Sequence, residues 1–145
     1  MCDEVGKKKM LNELKGKRIF VIEDKEDNIY VIMSLLRKHG AHVEIDWWAK
    51  GEPHKLESAM PIDLIILDLM LPLGRTGFEV FDEIRSSPAL EKVPVVAVSA
   101  MDASIALPKT QEQGFAGFIS KPIDFVLFPQ QIAALIAGEE VWYAG

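Results

Sequence analysis

The sequence predicts an α/β fold, a mostly parallel sheet buried between helix layers, and three observations carry that expectation. Short apolar runs recur along the chain, stretches of helical period fill the intervals between them, and polar residues stand where the apolar runs stop. At 145 residues the chain has the size of one domain, and two complete domains are excluded. Its 49% hydrophobic content is enough for a core without staples. A formal charge of −6 argues against a nucleic-acid backbone as a partner. The lone cysteine, Cys2, cannot form an internal disulfide, and there is neither a secretory apolar segment nor a stretch near the length of a membrane span. A cytoplasmic chain without membrane contact is the expectation.

Four nearly unbroken apolar runs read as strands covered on both faces: Ile19 to Ile22, Leu64 to Leu67, Val95 to Val98, and Phe115 to Ile119. In Ala41 to Ile45, by contrast, Val43 and Ile45 alternate with His42 and Glu44, the pattern of an edge strand with one wet face. Between the first run and this edge strand, Ile29, Ile32, Met33 and Leu36 follow helical spacing, with Asp27 as N-cap and Gly40 just past the end. Gly77, Val80, Phe81 and Ile84 repeat that spacing, and the helix should stop near Ser87, ahead of Pro88. A last helix should run from about Phe125 to Ala137, with Gly138 closing it. Residues 1–15, which include Lys7, Lys8 and Lys9, read as a solvated tail, and residues 139–145 as a second tail with no output domain.

The apolar runs end on polar residues: the first on Glu23 and Asp24, the second on Asp68, the third on Ser99, the fourth shortly before Lys121. In an open parallel sheet all carboxyl ends point to one edge, where α/β proteins bind ligands. Three carboxylates gathered there repel one another, so the site either raises a pKa or binds a cation. Magnesium suits it, because it takes oxygen ligands, keeps several waters and works beside phosphate. Lys121 then supplies a point charge and Ser99 a hydroxyl for phosphoryl oxygens, a combination that describes phosphoryl transfer. Singly, each residue has an ordinary role as a cap, turn or solvated residue; four strand ends together favour a site.

With these residues placed, the chain resembles the receiver domains of bacterial two-component response regulators, the CheY-like family. The matching segments are Ile22-Glu23-Asp24, Leu67-Asp68-Leu69-Met70-Leu71-Pro72, Ser99-Ala100, and Ser120-Lys121-Pro122-Ile123-Asp124. The resemblance implies a single receiver domain over residues 16–138, with a flavodoxin-like (βα)5 fold of strand order 2-1-3-4-5. It implies that Asp68 accepts a phosphoryl group from a histidine kinase or phosphotransfer protein, the chain catalysing its own phosphorylation and dephosphorylation while serving mainly as a signalling protein. It assigns Mg2+ to Asp24, Asp68 and the carbonyl of Met70, with Glu23 acting through water. Phosphoryl oxygens fall to Ser99, Lys121 and the backbone amides of Met70 and Ala100. Ser99 and Phe118 would be the switch residues, read out on the face of the fourth helix, fifth strand and fifth helix by a downstream protein. A monomer or weak homodimer is expected.

The chain departs from the family pattern at three places. Leu73-Gly74-Arg75-Thr76 makes the loop after Asp68 one residue longer, Phe118 replaces a frequent tyrosine, and Pro108 falls where the middle of the fourth helix is expected. Proline in a helix interior costs about 3 kcal/mol, so that helix is expected to begin near Pro108. A haloacid-dehalogenase-like phosphatase would need a second aspartate where Met70 stands. A flavin carrier would need a phosphate loop where Glu23 to Asn28 is acidic. A receiver-shaped interaction module uncoupled from phosphorylation, and a receiver fragment of a hybrid kinase or larger regulator, stay open. Trp47 or Trp48 is expected to pack, and His39, His42 and His54 share no metal-ligand spacing.

Overall fold

The apolar runs become strands because each is long enough to cross a sheet and carries no polar residue that would need solvent. The computed structural model describes residues 13–145, so Cys2 and Lys7 to Lys9 lie outside the described residues. The strands are β1 (Arg18–Ile22), β2 (His42–Asp46), β3 (Leu64–Leu67), β4 (Val95–Ser99), β5 (Gly117–Ser120) and β6 (Val141–Tyr143). The helices are α1 (Glu26–Lys38), α2 (Pro53–Ser58), α3 (Gly77–Ser86), α4 (Ala103–Gln113) and α5 (Leu127–Ile136). Every residue of β3 and β4 is buried. Pairing is parallel throughout, in the order β2-β1-β3-β4-β5-β6. The expected 2-1-3-4-5 order holds, with one strand added.

Strand periodicity divides the core into two layers. Ile19, Val21, Ile66 and Val98 face Ile32 and Leu36 of α1 and Phe128 and Ile132 of α5. Their neighbours Phe20, Ile22, Leu67 and Ala97 face Leu56 of α2, Val80 and Phe81 of α3, and Ala106 of α4. Each fully buried Leu, Ile or Phe is worth about 1.5–3 kcal/mol of transfer free energy, so both layers stabilise one register. All five main strands end on one edge, which fixes where their terminal polar residues meet.

Several expectations are corrected. Helix α1 starts one residue before Asp27: Lys25 is the cap, without a side-chain hydrogen bond, and Glu26 and Asp27 sit in the first turn, where their charge favours the helix dipole. Helix α4 does not begin at Pro108 but runs through it. Its ends explain why: Asp102 accepts from the Ser104 amide at 2.9 Å, and Gly114 closes the helix at φ 101. Buried Ala106 and Thr110 then anchor the segment on both sides of the proline. Trp47 and Trp48 do not pack, being 59% and 70% exposed. The buried carboxylate of Asp46 accepts from the amides of Trp48 and Gly51, and that turn aims both indoles outward. Of the expected first tail, Leu14 is fully buried in the α1/α5 layer, its amide bonded to the His39 carbonyl at 3.1 Å. The expected second tail, 139–145, contributes β6 beside β5.

Candidate functional site

Backbone pairing at the carboxyl edge of the sheet brings the polar strand ends together. The Asp68 amide donates to the Ile22 carbonyl at 3.1 Å, which sets Asp68 beside Glu23 and Asp24. The Lys121 amide donates to the Ser99 carbonyl at 2.9 Å, which ties β5 to β4 one residue past their last register pair, Ser99 with Ser120. Carboxylate oxygens of Glu23, Asp24 and Asp68 lie within 4.8 Å of one another. Glu23 and Asp68 are buried, whereas Asp24 is exposed at the mouth. The Lys121 ammonium bridges the buried pair, 2.5 Å from Glu23 Oε2 and 3.1 Å from Asp68 Oδ2.

Burial, and after it the charge of Asp68, raise the pKa of Glu23 above its ordinary value, while Lys121 and the Lys25 amide pull it down. Three carboxylates face one ammonium here, so the cluster retains negative charge that a divalent cation would offset. The donors are all oxygen, with one exposed member for entry, which fits Mg2+.

Ser99 is fully buried and its Oγ accepts from the Met101 amide at 3.3 Å. Met70 is 43% exposed, and its amide donates to Asp68 Oδ1 at 3.1 Å. Ala100 is exposed at the end of β4, and Phe118 is fully buried in the layer that holds α4. Thus Glu23, Asp24, Asp68 and Lys121 meet directly, Met70 and Ser99 stand at the adjoining strand ends, and Phe118 lies below them in β5.

The longer loop after Asp68 is a small hairpin. Met70 bridges to Thr76, the Leu71 amide donates to the Arg75 carbonyl, and the Arg75 amide donates to the Pro72 carbonyl. Leu73 and Gly74, at φ 62 and 72, form its two-residue turn, which is the primed type that suits strand twist. Arg75 fastens the hairpin through a side-chain hydrogen bond to the Lys50 carbonyl and an ion pair with Glu83.

Sequence reasoning missed the role of Gly77. A Cβ at this position would stand 2.3 Å from the Asp68 carbonyl oxygen and 2.8 Å from Leu69 Cα. Only glycine lets α3 start so close to the strand end that bears Asp68; a glycine opening a helix after a strand-end aspartate was the available signal. Gly77→Ala should destabilise the protein by about 1–3 kcal/mol, since the clash is with backbone. Urea unfolding reads this, and an unchanged midpoint would contradict it.

The pattern of the response regulator receiver domain matches residues 19–133. The chain belongs to this family. Protein PilH of Pseudomonas aeruginosa is 25% identical over 121 residues, covering 83% of this chain and 98% of its own. Response regulator PleD of Caulobacter vibrioides is 29% identical over 119 residues, 81% of this chain, but the match spans only 26% of PleD. Among solved structures, the receiver domain of sensor histidine kinase PA1611 from P. aeruginosa, with magnesium in its active site cleft, superposes with a TM-score of 0.72. It is 26% identical, and the match covers 86% of this chain and 99% of that one. As a receiver domain the protein is an element of two-component signalling with a CheY-like fold. Among the described residues no helix is long and apolar enough to cross a membrane.

Proposed function

We propose that this receiver takes a phosphoryl group onto Asp68 from the phosphohistidine of a kinase or phosphotransfer protein. The observation that carries this reading is the buried Asp68 carboxylate, gathered with Glu23 and Asp24 and contacted by Lys121. Asp68 is the nucleophile: a carboxylate oxygen bonds to phosphorus as the phosphorus–nitrogen bond of the donor breaks in line, and the imidazole keeps the electron pair and takes a proton from water. Lys121 turns from the carboxylates to the phosphoryl oxygens, and the Ser99 hydroxyl and the amides of Met70 and Ala100 donate to the same oxygens. Asp24, Asp68 and the Met70 carbonyl would hold Mg2+, with Glu23 acting through water, and the metal supplies positive charge against the phosphoryl oxygens. Phosphorylation biases Ser99 and Phe118, and the face of α4, β5 and α5 passes the change to a downstream protein.

The carboxylate cluster should bind Mg2+ before any phosphate arrives. Calorimetry is expected to show Asp24→Asn weakening Mg2+ by about tenfold or more, one charged ligand being worth at least 1.4 kcal/mol. Equal affinity in the two proteins would remove the metal from this scheme. With Mg2+ present, beryllofluoride, a phosphoryl mimic, should shift the amide resonances of Met70, Ser99, Ala100 and Lys121. Resonances that stay in place would contradict the phosphoacceptor reading.

A further inference from the structure

Strand β6 lies on the face to which the readout has just been assigned. Gly138, at φ 95, turns the chain after α5, and exposed Glu139 and Glu140 lead into β6. There Val141, Trp142 and Tyr143 stand in register with Gly117, Phe118 and Ile119 of β5. The edge of β5 is shaped for this neighbour: a Cβ on Gly117 would stand 2.3 Å from the Val141 carbonyl oxygen and 3.1 Å from Leu135 Cδ2. Trp142 packs on the core layer that contains Phe118 and Ala106, while Val141 and Tyr143 pack on the opposite layer with α5.

We propose that β6 is an intramolecular ligand of the β5 edge, covering the readout face in the resting protein and released when Asp68 carries a phosphoryl group. The inference rests on the phosphoacceptor reading and adds the element that is moved. Two features make release possible. The strand has three residues, all half-buried, and among the described residues none pairs with its outer edge, so it belongs to the parts of a fold that open below the global cost. It is also wired to the site. Phe118 and Trp142 project from the same face of adjacent parallel strands, and β5 runs on directly into Lys121. With Phe118 fully buried, a change of its rotamer must disturb the patch that seats Trp142. A state that moves Phe118 therefore binds β6 less well, which is the differential interaction a switch requires.

Amide exchange of the full chain by NMR, with Mg2+ alone and with Mg2+ plus beryllofluoride, tests this. Protection of the Val141 amide, which donates to the Ala116 carbonyl, should fall about tenfold when the mimic binds. By reciprocity, Trp142→Ala should tighten beryllofluoride binding by a similar factor. Val141→Pro removes the amide that pairs with Ala116 and keeps the indole, and should act in the same direction. Site resonances that shift while β6 protection and the affinities of both variants stay at wild-type values would overturn the inference and leave the phosphoacceptor reading intact. If neither the site nor β6 responds, the phosphoacceptor reading falls and this inference falls with it.

Discussion

Replacing Met70 with asparagine and Met101 with glutamate together should shorten the phosphorylated lifetime by about one to two orders of magnitude. Hydrolysis needs a water in line with the acyl oxygen–phosphorus bond, and in the proposed scheme the residues two positions after Asp68 and after Ser99 would flank its path. Met70 is 43% exposed beside the site, and Met101 is half-buried against the layer of α3 and α4. A thioether is at best a weak acceptor, so neither side chain orients water as an amide or carboxylate does. One water-orienting contact is worth about 1–3 kcal/mol of barrier, and each 1.36 is tenfold in rate. Loss of phosphate followed by intact mass, at saturating Mg2+, measures it. A double variant no faster than wild type would remove these positions from control of the lifetime.

Lys121→Ala should separate binding of the metal from response to the phosphoryl group. The ammonium bridges Glu23 and Asp68, both buried, so its loss leaves two carboxylates facing each other with one counter-charge fewer. Without metal, breaking such a pair costs about 3–5 kcal/mol when the remaining charge stays buried, and Glu23, whose pKa is already raised, can relieve part of that by taking a proton. Mg2+ should therefore bind the variant at least as well as wild type and recover much of its stability. Beryllofluoride should bind about 10- to 150-fold more weakly, since a hydrogen bond to a charged group is worth about 1.5–3 kcal/mol. Wild-type shifts at Ser99 and Phe118 in the variant would refute the role given to Lys121.

The sheet and the gathering of Glu23, Asp24, Asp68 and Lys121 at its edge were legible because their signals are local. Runs such as Leu64 to Leu67 are too short and too apolar for anything but a buried strand, and the polar residue after each run needs only the parallel topology to reach its partners. Features that depend on particular contacts, whether distant in sequence or within one turn, were not legible. Strand β6 shows three half-buried residues after two glutamates, and its seat exists only because Gly117 lacks a side chain. Helix α4 passes through Pro108 because Asp102, Gly114 and the buried Thr110 outweigh the lost hydrogen bond, which no local propensity reveals. The outward indoles of Trp47 and Trp48 depend on the grip of Asp46 on its own turn. The loop after Asp68 reads in the sequence as one residue longer than the family pattern, but its hairpin form needs Leu73 at a positive φ, a conformation a leucine does not advertise.

The central claim is that Asp68 itself carries the phosphoryl group. Incubation of the full chain with Mg2+ and a small phosphodonor such as acetyl phosphate, followed by intact mass, measures it directly. Wild type should gain one phosphate, lost on treatment with hydroxylamine as an acyl phosphate is, and Asp68→Asn should gain none. A phosphate on the Asp68→Asn variant, or none on wild type with Mg2+ saturating, would contradict the account.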